Sequence, residues 1–279
     1  MEAVYAGVPW ALSTMFSLTG AGAFMAMAVL ADAFPAEGRR LANIDALSLM
    51  PSLAVVLGCV AAYFALQDET AAAFLLRGVD GAARYAAVGA AGAFAVAALA
   101  YGAVAVSGRM PSRLRKPLLR TVGLLGLLFV CALAAAHVLA GDPVWATAAT
   151  PAQMLGCALL GGSALAALLF ENAGALEGRG AKGVLAAFAA AGAVLGLGGL
   201  AAHVAMVLGT AGAAGVELVR AASTHVAVGA LCLAATLVFT LMALRLKETG
   251  YHVVIAVACA FVGTFCVRLA FYALQVSAL

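Results

Sequence analysis

Hydrophobic positions in this chain come in long unbroken runs, separated by short polar spacers. A helix needs roughly 20 apolar residues to cross a bilayer. Eight runs meet that length: residues 8–33, 46–66, 85–107, 121–140, 149–170, 183–208, 221–244 and 250–277. A chain in lipid must satisfy its backbone hydrogen bonds internally, as helices or as a closed barrel. Barrel strands would read as short alternating segments. The runs therefore predict an all-α polytopic membrane protein with about eight transmembrane helices. The spacers hold nearly all the charges, so no soluble domain is expected. The longest spacer predicts a short surface helix around residues 71–76. The spacer 141–148 divides the helices four and four, which suits two four-helix bundles, 1–140 and 141–279.

Composition strengthens this reading. Apolar residues make up 66% of the chain and charged residues 10%, where a soluble domain carries about a quarter charged. Lipid is the solvent this surface requires. The net charge of +3 is small, and no basic arm or aromatic–basic interleaving points to nucleic acid. No Lys or Arg precedes Arg39. The first run thus lacks the basic start of a signal peptide and is expected to stay as a helix.

Lys and Arg concentrate on the cytoplasmic side of membrane proteins. The spacers after the first, third, fifth and seventh runs hold Arg39, Arg40, Arg109, Arg113, Arg115, Lys116, Arg120, Arg179, Lys182, Arg245 and Lys247. The opposite spacers hold Arg77, Arg84 and Arg220. Eleven against three predicts that both termini and the 141–148 spacer lie outside. Trp10, Trp145 and Tyr5 then fall at the outer interface, where aromatic belts form.

The six cysteines lie inside apolar runs with no CxxC pair. They read as small buried hydrophobes, not metal ligands. Gly192 and Gly196 form a GxxxG, and Gly161-Gly162 and Gly198-Gly199 are further small patches, which let membrane helices pack closely.

Ionisable groups at membrane depth are functional suspects. The predicted topology puts His137, His203, His225 and Arg268 in the outer leaflet. Arg268 lies about 24 Å above the inner end of its helix, at 1.5 Å per residue. Gln67, Asp68, Glu69 and Arg84 flank the outer spacer after the second helix. Only His252 sits at the inner surface. A small ligand that enters from lipid and exchanges protons with the outside would suit this arrangement. Interfacial side chains reaching for water would give the same pattern. A chain of two haems needs axial pairs in both leaflets, and the inner leaflet offers His252 alone.

Several stretches resemble the membrane-anchor subunit of bacterial dimethyl sulfoxide reductases. They are Pro9-Trp10 with Phe16 and the run Gly20 to Phe24, then Pro143-Val-Trp145 through Thr150-Pro151 to Gly161-Gly162, and finally Arg268-Leu-Ala-Phe271-Tyr272. Length, helix number and a basic spacer containing Pro117 agree along the whole chain. The resemblance implies an anchor in the cytoplasmic membrane of a bacterium. It implies partners on the outer face: a four-cluster iron–sulfur subunit and a molybdopterin catalytic subunit. It also implies oxidation of menaquinol to menaquinone near that face, with no haem in the anchor. The family commonly has a His late in helix two and a Glu early in helix three. Here those places hold Ala65 or its neighbours, and Ala87 or Val88.

This reading makes His137, Glu69 and Asp68 candidate proton acceptors. Arg268, Trp145, Gln67, Arg84, His225, His203 and Tyr272 become candidate quinol-binding residues, and no metal site is expected. A transporter of a small metabolite would instead predict polar residues at mid-membrane in broken helices, a zone that is nearly bare here. A haem-bearing cytochrome subunit is the third reading, and a Soret band would reveal it.

Overall fold

The computed structural model describes residues 7–33, 38–67, 81–108, 110–176, 179–246 and 250–275, and these form helices joined by turns. In chain order the helices are α1 (Val8–Ala33), α2 (Gly38–Leu47), α3 (Leu49–Gln67), α4 (Gly81–Val106), α5 (Ser112–Val138), α6 (Ala149–Asn172), α7 (Arg179–Thr210), α8 (Gly212–Arg245) and α9 (Gly250–Ala273). Among the described residues, eight helical spans are long and apolar enough to cross a membrane, with α2 and α3 forming one of them. The chain therefore has the architecture of a multi-pass α-helical membrane protein. Tyr5, Asp68, Glu69 and the helix expected around 71–76 lie outside the described residues.

Helix ends depart from the hydropathy runs in a consistent way. α5 begins at Ser112 and takes in Pro117, so most of the expected basic spacer is helical. α8 begins at Gly212, with Ala211 alone between it and the end of α7 at Thr210. α7 and α8 hold 32 and 34 residues, about 50 Å at 1.5 Å per residue, against roughly 30 Å of hydrocarbon. Hydropathy marks only the stretch that lipid would cover. The helix itself continues into the charged zone, where its own hydrogen bonds still close.

Two helices sit at the centre. α1 packs against α3, α5, α6 and α9, and α6 packs against α1, α7, α8, α9 and α5. The cause is small residues at their contacts. A Cβ on Gly22 would overlap the backbone of Ala158, and one on Gly162 would overlap the backbone of Gly22. α6 and α7 run antiparallel in close register, Gln153 against Gly199, Gly156 against Gly196 and Leu160 against Gly192. Bare backbones gain dispersion contacts here that lipid tails cannot supply. Gly198, by contrast, has open space around its Cα.

One end of the molecule gathers Trp10, Ala65, Ala140, Trp145, Phe271 and Tyr272 into a single apolar cluster. The start of α1, the ends of α3, α5 and α9 and the turn 139–148 thus lie together. At the other end the guanidinium of Arg115 on α5 forms an ion pair with Asp45 on α2. Asp45 is buried, and Ser48 donates to its carbonyl at 2.6 Å where α2 gives way to α3.

Trp145 departs from its expected place. It is 1% exposed, and its indole stacks on Phe271 with ring centres 4.9 Å apart and planes 10° from parallel. It is part of the protein interior and not of an aromatic belt. Asp142 aims it: the Asp142 carboxylate accepts from Val144 N at 2.8 Å and Trp145 N at 3.4 Å. Such an Asx turn folds the chain back on itself, and Gly141 permits it with φ +81°. Trp10 is also buried. The thiols are all free, and Cys157 is buried, whereas Cys131 points out of the bundle.

Candidate functional site

Arg268 is fully buried in α9. A buried guanidinium is costly unless its N–H groups find acceptors. Its own helix supplies one of them. Tyr272 lies one turn further on, and its hydroxyl accepts from Nη2 at 2.8 Å. The Arg268 Nε donates to Thr14 Oγ1 on α1 at 3.3 Å. Thr14 in turn donates back to Trp10 O at 2.8 Å. The guanidinium carbon also lies 4.1 Å from the ring centre of Phe271 and 4.8 Å from that of Tyr272. A cation over a ring face is favoured when both are desolvated.

His137 on α5 completes the group. Its Nδ1 lies 2.8 Å from Leu133 O. A carbonyl can only accept, so Nδ1 carries the proton and Nε2 presents a lone pair. That lone pair faces Arg268 Nη2 and the Tyr272 hydroxyl, each at 3.3 Å. Two side chains of α9, Arg268 and Tyr272, therefore converge on one imidazole nitrogen whose acceptor side is set by hydrogen bonding, while Thr14 of α1 braces the guanidinium. His137 was legible in the sequence as an ionisable residue at depth. Thr14 was not, because a threonine on an apolar helix gives no signal of its own.

Next to this group lies a cleft of about 490 Å³ between α1, α3, α4 and α5. Its inner wall includes Thr14, His137 and Tyr272. Phe129 lines the far end, stacked on Phe94 with ring centres 5.7 Å apart. Along α5 the lining runs from Phe129 to Ala140, about 16 Å of helix. The exposed part of the lining comes from α3 and α4, with Tyr63 60% and Tyr85 77% exposed. The cleft therefore opens sideways, along the exposed faces of α3 and α4. Small-molecule sites are mostly apolar with a few convergent polar groups, and this cleft has that character.

The structure separates the sequence candidates. His137, Tyr272 and Arg84 line the cleft. Ala87 and Val88 line it too, together with Ala62 and Leu66 close to Ala65. Arg268 does not reach it directly; it stands behind His137, Tyr272 and Thr14 and holds them. Trp145 and His203 pack around Phe271, with His203 and Phe271 ring centres 4.8 Å apart. They sit on the other side of the Arg268 group. His225 on α8 and the exposed Gln67 at the end of α3 are not among the cleft residues. Asp68 and Glu69 lie outside the described residues. No three His, Cys, Asp or Glu side chains among the described residues are placed to hold a metal ion. Asp45 and Gln153 are buried polar residues that sequence reasoning passed over; each is a polar residue beside or inside an apolar run, which was the available signal.

The arrangement defines a class: a polytopic helical membrane protein with a laterally open apolar cleft ending at an arginine-held histidine and tyrosine. No family model matches the chain, and no curated protein matches it by sequence.

Proposed function

We propose that this chain is the membrane anchor and quinol-oxidising subunit of a respiratory molybdenum oxidoreductase, of the dimethyl sulfoxide reductase kind. The observation that carries this reading is the cleft with the His137 Nε2 lone pair and the Tyr272 hydroxyl at its inner wall. A quinol is an apolar ring and tail with two hydroxyl groups. It would enter from lipid between α3 and α4 and lay its ring along the apolar walls. One hydroxyl would reach His137. Loss of two electrons from the quinol releases two protons, and a general base positioned on the hydroxyl assists that loss. His137 Nε2 is the acceptor, with Tyr272 donating to the oxygen or relaying its proton. The electrons would pass to the iron–sulfur partner subunit outside the membrane, and from there to the molybdopterin subunit.

Two further observations favour the reading. The cleft is lined at the positions where the resembled family places its quinol-linked His and Glu. Ala87 and Val88 leave room there, and His137 and Tyr272 supply polar groups from the opposite wall. A haem held between His137 and His203 has little support, because Phe271 packs on both rings, with centres 5.4 Å and 4.8 Å away.

The test is purification of the chain with its natural partners, followed by assay of His137→Ala. Iron–sulfur and molybdopterin subunits are expected to co-purify. The variant is expected to lose turnover with a quinol analogue by on the order of 100-fold, while turnover with a donor that feeds the iron–sulfur subunit directly stays at the parental rate. Parental quinol turnover across pH 6 to 8, about where a free histidine titrates, would remove His137 from the mechanism.

A further inference from the structure

Behind the Arg268 group lies a set of buried polar atoms that no group among the described residues satisfies. Gln153 on α6 is fully buried, and neither its amide oxygen nor its nitrogen has a partner. His203 on α7 is 1% exposed, and both ring nitrogens lack partners. Arg268 Nη1 is the third case, in a residue 0% exposed. An unsatisfied buried polar group is destabilising, so five such atoms in one region need an explanation.

They belong to one place. α6 and α7 are antiparallel, and the backbone of Gly199 lies against Gln153. His203 follows Gly199 by one turn on the same face of α7. Its ring packs on Phe271, the ring that also lies under the Arg268 guanidinium. Trp145, from the 139–148 turn, stacks on the same Phe271 ring. None of Gln153, His203 or Phe271 lines the apolar cleft. The three orphaned side chains therefore form a second polar region, running from Arg268 toward the 139–148 turn.

We propose that Gln153, His203 and Arg268 hold a hydrated site, in which bound water joins the His137–Tyr272 pair to the turn at Asp142 and carries protons between them. Water is the ligand these atoms fit. Gln153 offers two donors and an acceptor, His203 one of each, and Arg268 Nη1 a charged donor. Bound waters in proteins typically make about three such bonds. Glutamine and neutral histidine both donate and accept, so a chain of waters among them can pass a proton in either direction. The charge balance is simple: the two quinol protons pass one after the other through His137 Nε2 to water, and His137 returns to its neutral form after each. The guanidinium keeps its own protons throughout and serves to orient the waters. Hydration of these atoms is independent of any ligand in the cleft, whereas the proton-release role rests on the proposed quinol oxidation.

Radiolytic hydroxyl-radical footprinting of the chain in lipid nanodiscs tests the hydration, with no quinol present. Radicals form from water close to the labelled side chain. His203 and Phe271 are expected to label severalfold faster than Phe24 and Phe94, which are equally buried in the apolar core. Gln153→Met should slow labelling at Phe271 toward the rate of Phe24, and His203→Gln, which keeps polar atoms, should leave it fast. Labelling of His203 and Phe271 no faster than Phe24 in the parent protein would overturn the site. In the assembled complex, Gln153→Met should lower quinol turnover severalfold and spare donor-fed turnover. If labelling shows the variant dry while quinol turnover is unchanged, the proton route is overturned and the hydrated site stands. If the parent complex oxidises no quinol, the proposed function fails, and the footprinting result still decides the site.

Discussion

The hydroxyl of Tyr272 lies 2.8 Å from Arg268 Nη2, one helical turn away along α9. The same Nη2 reaches His137 Nε2 at 3.3 Å. One nitrogen of a buried cation thus links both polar groups on the inner wall of the cleft. Arg268 acts as a positioning residue, and its effect on a ligand passes through His137 and Tyr272.

Replacement of Arg268 should therefore disturb geometry more than charge contact. Arg268→Gln is expected to lower quinol turnover by on the order of 100-fold, the usual cost of displacing a reacting group by about 1 Å. Arg268→Lys should rescue little, because a single ammonium cannot meet Thr14, Tyr272 and His137 at once. Tyr272→Phe should fall between these variants and the parent. Normal quinol turnover in assembled Arg268→Gln complex would show that the guanidinium serves the fold alone.

The cleft can be filled without disturbing the helices. Gly92 lines it and has open space around its Cα. Gly92→Phe should raise the apparent KM for a quinol analogue and weaken a quinone-site inhibitor, with complex yield unchanged. Unaltered steady-state kinetics in this variant would place ligand binding elsewhere.

The central crossing should be intolerant of any side chain. Gly22→Val or Gly162→Val would push a methyl group into facing backbone, a cost above the ~1–3 kcal/mol of ordinary overpacking. Either variant is expected to reduce folded protein in detergent, as judged by thermal unfolding and gel filtration. Gly198→Ala, in open space, should behave as the parent. Equal stability of Gly22→Val and Gly198→Ala would contradict the close packing of α1 on α6.

At the opposite end, Asp45 and Arg115 tie α2 to α5. Breaking a buried pair leaves an uncompensated charge, at a cost of about 3–5 kcal/mol. The Arg115 side chain is 18% exposed, which puts the loss near the lower end of that range. Asp45→Leu should lower the unfolding temperature, and adding Arg115→Leu should recover part of it. A double variant no better than Asp45→Leu alone would show that the two residues are not coupled.

Orientation follows from charge alone and is open to direct labelling. In a background without the natural cysteines, Ala146→Cys should react with a membrane-impermeant thiol reagent on intact cells. Arg113→Cys should react only after the membrane is opened. The reverse result would invert the topology.

The sequence by itself determined the helical, membrane-spanning architecture, because a bilayer filters by one quantity. Each span must be long and apolar enough, and hydropathy measures that residue by residue. It also marked His137, Arg268 and Tyr272, since ionisable groups and a motif inside apolar runs stand out locally. Only the tertiary structure decided what these residues do together. The meeting of His137 with Tyr272 spans 135 residues of sequence, and that of Arg268 with Thr14 spans 254. Such contacts depend on which glycines let α1 approach α6, and on a turn at Asp142 that buries Trp145 where hydropathy places an interface. Helix rotation likewise put Arg268 behind the cleft wall and Ala87 on its lining. An apolar run has no preferred face in a one-dimensional reading, because lipid and protein interior are equally apolar. The faces are set by packing, and packing exists only once the helices are assembled.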